Sequence, residues 1–183
     1  MVSWTAPAGL RPLLRGGRWV LTCLVLCAAI IVAVPMQHAT APVAVGYRHD
    51  LARLTSTARY TAVAPAGLPR TWTPVSSSLA VGGANGPGTV TWHLGYTAPS
   101  GGLASLEETD AAAAAFVRRM TNSGSPLPVL RLAGRTWHAS ATPARGQRSL
   151  YRTVPGGPTL VVTGTATWAE LRTLAAALRP RVR

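Results

Sequence analysis

The hydrophobic pattern divides the chain into one long apolar run and a series of short alternating segments. Residues 19–36 read WVLTCLVLCAAIIVAVPM, with no charge and with Thr22 as the polar interruption. At about 1.5 Å per helical residue this run spans roughly 27 Å, close to the thickness of the hydrocarbon layer of a bilayer. The pattern therefore predicts a transmembrane helix over residues 19–36.

The charges on either side of this run predict its orientation. Arg11, Arg15 and Arg18 precede it, whereas the first acidic residue is Asp50. Because positive flanks stay in the cytoplasm, residues 1–18 are expected to form a short basic cytoplasmic segment and the rest of the chain to be exported. A cleaved signal peptide, cut after Ala41, is the alternative. We favour the uncleaved single-pass anchor, because a proline directly after the cut disfavours cleavage.

Beyond the anchor, residues 37–60 are predicted to form a linker and residues 61–183 an exported domain. The linker contains a possible juxtamembrane helix over Tyr47–Ala58, where apolar residues recur at helical spacing. In the domain, Thr89–Thr97 alternates apolar and polar residues, which predicts a half-buried antiparallel strand. Further strands are predicted over 72–81, 103–107, 129–132, 135–141, 148–154 and 159–165.

Two helices are predicted between these strands. The first covers about 111–121 with Thr109 or Asp110 as its cap, and the second opens with the capping box Thr167–Glu170. The sequence thus predicts an α+β fold, an antiparallel sheet with two packing helices. Both halves read as a strand series followed by a helix, of βββα or ββββα type, and a Thr-Trp-His triplet occurs in each half, at 91–93 and 136–138.

The charge is high but has a compositional explanation. The chain carries 18 basic residues, all arginine, against 5 acidic ones, for a formal net charge of +13. The arginines are scattered and accompany no nucleic-acid motif, so no nucleic-acid partner is predicted. An arginine-only basic set in a chain rich in Ala, Gly and Pro is typical of codon bias in a GC-rich genome, which is the favoured interpretation. An envelope protein or an anionic polymer is the partner class kept as the alternative. A basic rim is predicted if folding gathers Arg118, Arg119, Arg131, Arg135, Arg145, Arg148 and Arg152.

A search for catalytic and metal chemistry finds no established pattern. His93 and His138 face away from the neighbouring tryptophans, and they would share a metal site with Glu107 or Glu108 only if their strands were neighbours. Two surface histidines are the favoured interpretation, and the acidic residues are assigned to helix capping and solubility. The motifs G-x-S-x-G and S-x-x-K do not occur, and a phosphate loop would need the lysine that the chain lacks. We therefore predict no cofactor, no metal and no enzymatic activity.

Binding is the remaining class of function. Trp72, Trp92 and Trp137 either pack in the core or line a pocket or groove. The candidate ligand or partner surface consists of Trp72, Trp92, His93, Trp137, His138, Arg118 and Arg119.

Several ordered motifs carry a resemblance to a known family. They are PAGLPRTW at 65–72, WHLGY at 92–96, LEE at 106–108, GRTW at 134–137 and TLVVTGT at 159–165. With these motifs the chain resembles the actinobacterial domain of unknown function 4245 family. The resemblance implies a membrane-anchored protein with one exported domain and no known activity. The same plan is similar to sensor-like exported domains of anti-sigma and sporulation lipoproteins.

Together these observations predict a single-pass cell-membrane protein with an extracytoplasmic, non-enzymatic binding, sensor or scaffolding domain. A carrier or chaperone for an apolar envelope molecule is the first alternative, and it requires an apolar pocket. An unrecognised hydrolase is the second, and it requires converging polar groups.

Overall fold

A computed structural model describes residues 44–181 of the chain. The predicted anchor over 19–36, its flanking arginines and the alternative cleavage site after Ala41 lie outside the described residues. Among the helices within 44–181, none is both long and apolar enough to cross a membrane.

The described elements alternate along the chain as an α+β fold. They are α1 (Arg48–Thr57), β1 (Ala62–Pro65), β2 (Thr73–Val81), β3 (Val90–Thr97), β4 (Leu103–Thr109), α2 (Ala113–Met120), β5 (Ser125–Leu132), β6 (Arg135–Thr142), β7 (Gln147–Thr153), β8 (Thr159–Gly164), α3 (Trp168–Ala177) and β9 (Leu178–Arg181). The predicted fold class is confirmed at this level, with three helices in the described part instead of the two predicted to pack on the sheet.

Seven strands form one antiparallel sheet in the order β2-β3-β4-β8-β7-β6-β5, and β1 pairs with β9 in a separate two-stranded sheet. The predicted series of strands before each helix is present: β2–β4 of the large sheet precede α2, with β1 of the small sheet before them, and β5–β8 precede α3. The two Thr-Trp-His triplets occupy matching places in the strand order. They lie on β3 and β6, each second from an edge of the sheet, and one strand, β4 or β7, separates each from the central strand β8.

One face of the large sheet, here called the core face, carries the main apolar core. Trp92, Leu94, Leu106, Leu150 and Val162 point to it and are fully buried. The helices α1 and α3 contact the sheet on this side, and β1 also contacts both helices. The alternation of apolar and polar residues along β3 explains why its apolar side chains are buried together, because residues two apart on a strand share a face.

The opposite face, here called the polar face, is rich in hydroxyl groups. Thr109, Thr163, Ser149 and Ser140 are buried on it, and Ser149 Oγ lies 2.7 Å from Thr163 Oγ1. The helix α2 contacts β8 on this side. Gln147 ties the helix to the sheet, since its Nε2 donates to the carbonyl of Met120 at 2.7 Å and to Thr163 at 2.7 Å. The helix α2 is therefore held to the sheet partly by polar contacts.

Helix α1 belongs to the folded unit and not to a linker. Leu54 and Ala58 are buried in the main core, and α1 lies within the same compact unit as the strands. The prediction placed the start of the domain at residue 61, because the helical spacing of Tyr47–Ala58 did not show what the helix packs against.

The predicted caps of the two later helices have different outcomes. The capping box of α3 is confirmed: Glu170 N–H donates to Thr167 Oγ1, and Thr167 N–H donates to the Glu170 carboxylate. The cap predicted for α2 is wrong, because Ala112 occupies the N-cap position without a side-chain cap. The reason is that β4 continues to Thr109, which leaves Asp110 to accept from the N–H of Val90 at 2.7 Å.

Candidate functional site

A cleft with two arginines opens at one end of the large sheet. It has a volume of about 240 Å³, and its lining includes Arg135, Arg152, Val63, Val154 and Leu160 together with the turn Pro155–Pro158. Arg135 begins β6 and Arg152 lies near the end of β7, the adjacent antiparallel strand, so the sheet brings them to the same end. We call this feature the arginine cleft.

The two guanidinium groups of the arginine cleft influence each other. Burial lowers the pKa of Arg152 from its ordinary value, and the positive charge of Arg135 lowers it further. The guanidinium of Arg152 lies over the ring of Trp137 at 5.8 Å from its centroid. Arg135 Nη1 donates to the carbonyl oxygen of Leu178 at 3.0 Å. Two cations are thus held close together, and each has neutral groups of the protein as its neighbours.

The acidic residues do not neutralise these arginines. The chain has five acidic side chains, and each accepts hydrogen bonds from another group: Asp50 from Ser77, Glu107 from His93, Glu108 from Val63, Asp110 from Val90, and Glu170 from Ser100 and Thr167. Within residues 44–181 the ion pair that forms joins His93 to Glu107. The positive charge of the arginine cleft is therefore not balanced by a carboxylate of the described part of the chain.

A buried carboxyl group lies in the same region of the core face. Leu160, which lines the arginine cleft, pairs with Arg152 on one side and with Glu108 on the other. Glu108 is fully buried, and burial raises its pKa to about 8 although the N–H of Val63 donates to both of its oxygens. The pKa of Tyr60 is also raised, by burial and by the charge of Glu108. Near neutral pH, Glu108 therefore favours its uncharged form.

A second, more open groove runs beside α2 on the polar face. It has a volume of about 640 Å³, and its lining includes Arg118, His138 and Tyr151. The rings of His138 and Tyr151 are stacked with centroids 5.2 Å apart and an interplanar angle of 18°. The groove therefore combines a flat aromatic surface with one exposed cation.

A third feature lies at the other end of the polar face, on β2, β3 and β4. Ser76 Oγ is 2.9 Å from His93 Nε2, and His93 Nδ1 is 2.6 Å from Glu107 Oε1. The hydrogen bond to Glu107 raises the pKa of His93, against the opposing effect of burial. We call these residues the Ser76–His93–Glu107 cluster.

A family model for a protein of unknown function, DUF4245, matches residues 19–178 of the chain. The chain belongs to the DUF4245 family. The match confirms the resemblance inferred from the motifs, and it begins at the first residue of the predicted anchor. A comparison with curated proteins finds no match.

The structure does not gather the residues predicted as a ligand surface in this DUF4245 chain. Trp92 and Trp137 are buried in the core, with 0% and 1% of their surface exposed. Trp72 is also mostly buried, and its ring contacts Tyr96 edge-on with centroids 6.0 Å apart. These tryptophans are core residues and do not line a common groove.

The two candidate histidines are also far apart in the DUF4245 sheet. Three strands, β4, β8 and β7, separate His93 on β3 from His138 on β6. The condition for a shared metal site is therefore not met. In the part of the chain that the structure describes, no group of three or more His, Cys, Asp or Glu residues is placed to hold a metal ion.

The predicted basic rim forms only in part. Arg135 and Arg152 meet in the arginine cleft, and Arg118 lines the groove beside α2. The other members have different surroundings: Arg119 donates to Asn85, Arg131 to Gly134, and Arg148 to the carbonyls of Gly146, Thr165 and Ala166. Arg145 is exposed in the short turn before β7.

The assignment of Glu107 and Glu108 to capping and solubility is wrong. Both lie inside β4 and are buried, on opposite faces of the sheet. The alternation of side chains along a strand predicts their position on opposite faces. The local pattern does not show the hydrogen-bond partners of Glu107 and Glu108, because His93 and Val63 are distant from them in sequence.

Proposed function

We propose that this DUF4245 protein is a membrane-anchored binding protein whose arginine cleft holds an anionic group of the cell envelope. The observation that carries the proposal is the pair Arg135 and Arg152, which share one cleft with no carboxylate of the described residues to neutralise them. A bound anion accepts charge-assisted hydrogen bonds from both guanidinium groups and removes the repulsion between them.

The shape and lining of the cleft favour a phosphate or carboxylate carried on an apolar body. A volume of about 240 Å³ corresponds to roughly eight water molecules at about 30 Å³ each, which is enough for a phosphate and a few carbon atoms. Val63, Val154 and Leu160 provide apolar contact beside the arginines. This lining favours the carrier alternative in a restricted form, namely a protein that holds an anionic amphiphile by its headgroup.

The location of the cleft in the envelope is part of the proposal. It rests on the apolar run over 19–36, on the arginines that precede it, and on the absence of acidic residues before Asp50. In this topology the described domain is extracytoplasmic in an actinobacterial cell. Protease added to intact spheroplasts is expected to degrade residues 44–181, and full protection of that region contradicts the topology.

Binding is tested with the full chain in a non-ionic detergent, by titration with inorganic phosphate, octyl phosphate and octanoate in a calorimeter. Arg152→Gln is expected to weaken binding of each anion by about tenfold or more, because a hydrogen bond to a charged group contributes about 1.5–3 kcal/mol. Arg145→Gln is the matched control, since Arg145 is exposed and precedes the opposite end of β7. Equal loss in both variants indicates nonspecific charge attraction and contradicts the proposal.

The three anions distinguish the sources of the ligand. Octyl phosphate that binds more tightly than inorganic phosphate supports an amphiphile, since each buried CH₂ contributes about 0.8 kcal/mol. Equal affinities for the two phosphates support a free anion. Absence of binding by all three, in a chain whose circular dichroism shows it folded, overturns the proposal.

A further inference from the structure

The Ser76–His93–Glu107 cluster has the connectivity of an activated nucleophile. His93 lies between the other two residues, with Nε2 at 2.9 Å from the hydroxyl of Ser76 and Nδ1 at 2.6 Å from the carboxylate of Glu107. A carboxylate that accepts from Nδ1–H fixes the tautomer in which Nε2 is unprotonated. Nε2 then accepts the proton of the serine hydroxyl, which is the arrangement that activates serine toward acyl groups.

Two features of the backbone place Ser76 beside His93. The pairing of β2 with β3 shifts by one residue between Pro74 and Ser76, which puts Ser76 opposite Gly95 and Ser78 opposite His93. Gly95 has no side chain, and a Cβ there would lie 2.3 Å from Ser76 Oγ and 3.2 Å from His93 Nε2. The glycine therefore leaves the space in which the serine hydroxyl and the imidazole meet.

The three residues of the cluster differ in solvent exposure in the way that this chemistry requires. Glu107 is 8% exposed, whereas the side chain of His93 is 35% exposed and Ser76 is half-buried. The carboxylate is thus shielded while the imidazole and the hydroxyl remain accessible. The other hydroxyl contacts on this face, such as Thr91 with Thr109 and Ser149 with Thr163, join hydroxyl to hydroxyl and contain no base.

We infer that Ser76 is a nucleophile toward esters, with His93 as its general base and Glu107 as the residue that orients the imidazole. In the acylation step, a bond forms between Ser76 Oγ and the acyl carbon, and the proton of Oγ moves to His93 Nε2. The bond from the acyl carbon to the leaving alkoxide breaks, and the alkoxide takes that proton as it departs as an alcohol. Water then attacks the acyl-serine, which releases the acid and restores the hydroxyl.

This activity is separate from the anion binding proposed above. The cluster lies on the polar face, whereas Leu160 of the arginine cleft and its neighbour Arg152 belong to the core face. A substitution in one feature therefore leaves the other in place, and the two proposals stand or fall independently.

The test is covalent labelling of the full chain in non-ionic detergent with a fluorophosphonate probe, followed by peptide mapping. Reaction forms the Oγ–P bond, breaks the P–F bond and sends the serine proton to His93 while fluoride leaves. Ser76 is expected to carry the label, and His93→Gln to slow its formation by at least about 100-fold. Ser78→Ala is the matched control and is expected to label at the native rate, because Ser78 lies two residues along the same strand and face.

A pH profile and a cysteine variant keep the inference testable if His93→Gln fails to fold. The native labelling rate is expected to rise with pH through a pKa above 6.5, since Glu107 raises the pKa of His93. In Ser76→Cys, the thiol is expected to react with iodoacetamide at pH 7 at least tenfold faster than the thiol of Ser78→Cys. The absence of a label on Ser76, or equal rates for the two cysteine variants, overturns the inference.

Discussion

The two faces of the seven-stranded sheet are built from the same strands but bury different chemistry. The core face buries Trp92, Leu106 and Leu150 beneath α1 and α3. The polar face buries hydroxyl groups, and Gln147 of β7 donates from this face to the carbonyl of Met120 in α2, whose Phe116 is also buried. Apolar burial is non-directional and drives folding, whereas buried polar groups need partners of defined geometry. The packing of the polar face therefore depends more on hydrogen-bond geometry than on the apolar area that it buries.

Glu107 and Glu108 show this difference between consecutive residues. Glu107 on the polar face bonds to an imidazole that is partly exposed. Glu108 on the core face forms no ion pair within residues 44–181, and its carboxylate accepts from the N–H of Val63. A carboxyl group in apolar surroundings favours its neutral form. Glu108 therefore makes stability depend on pH through its own raised pKa, whereas Glu107 acts by raising the pKa of His93.

Glu108→Gln is expected to have the largest effect, on the pH dependence of unfolding. The folded-state pKa of about 8 exceeds the ordinary value of 4.5, so between these values the folded state binds more protons than the unfolded state. The stability of the native protein therefore falls as pH rises through this window, by roughly 4 kcal/mol, since one pKa unit corresponds to 1.36 kcal/mol. Glutamine cannot ionise and is expected to remove most of this fall. Urea unfolding followed by tryptophan fluorescence at pH 5 and pH 9 measures it.

The control for that measurement is Glu107→Gln, which changes the neighbouring residue on the other face. It keeps Glu108 ionisable and is expected to retain most of the loss of stability between pH 5 and pH 9. A native protein whose stability is constant or rises over this range contradicts the burial of an unpaired carboxyl group.

Leu94→Ala is expected to have the next largest effect, on the free energy of unfolding. Together with a variant on the opposite face of β3, it compares the two faces of the sheet along one strand. Leu94 is fully buried on the core face of β3, so the truncation removes apolar contacts and leaves a cavity at a cost of about 2–5 kcal/mol. Thr97→Ala, three residues along β3 on the polar face, is the matched variant and is expected to cost less than about 1 kcal/mol. Chemical denaturation of both variants measures the difference, and equal losses contradict the division into a core face and a polar face.

Much of the sheet follows from local pattern. The alternation of Val90, Trp92, Leu94 and Tyr96 predicted both the strand and its buried face, which the structure confirms. The capping box at Thr167 predicted the start of α3 for a local reason, because both partners lie within one turn. The strands β1 and β9 were missed, since each has four residues and includes a proline. Their pairing joins the two ends of the domain, which no local window contains.

The arginine cleft and the Ser76–His93–Glu107 cluster depend on strand register and are therefore harder to predict from the sequence. His93 was recognised, but Ser76 was not, because its approach depends on a register shift and on the space left by Gly95. Arg135 and Arg152 were counted among seven arginines, and only the pairing of β6 with β7 selects them. The sequence leaves two environments open for Trp72, Trp92 and Trp137, the core or a binding groove, because tryptophan suits both. Trp92 lies on the core face because consecutive residues of a strand point to opposite faces, and His93 points to the polar face.

Glu107→Gln is expected to have the smallest effect on stability and the clearest effect on His93. The hydrogen bond to Glu107 raises the pKa of His93 above its ordinary value of 6.5, so the pair stabilises the fold below pH 6.5 and loses that contribution as pH rises through the raised pKa. Because one third of the His93 side chain is exposed, solvent screens the pair and the loss at pH 5.5 is expected to stay under about 1 kcal/mol. Titration of the His93 Hε1 resonance by NMR is expected to show a lower pKa in the variant. An unchanged titration contradicts the pairing, and a large loss of stability at pH 9 shows that Glu107 supports the polar face by packing instead of by charge.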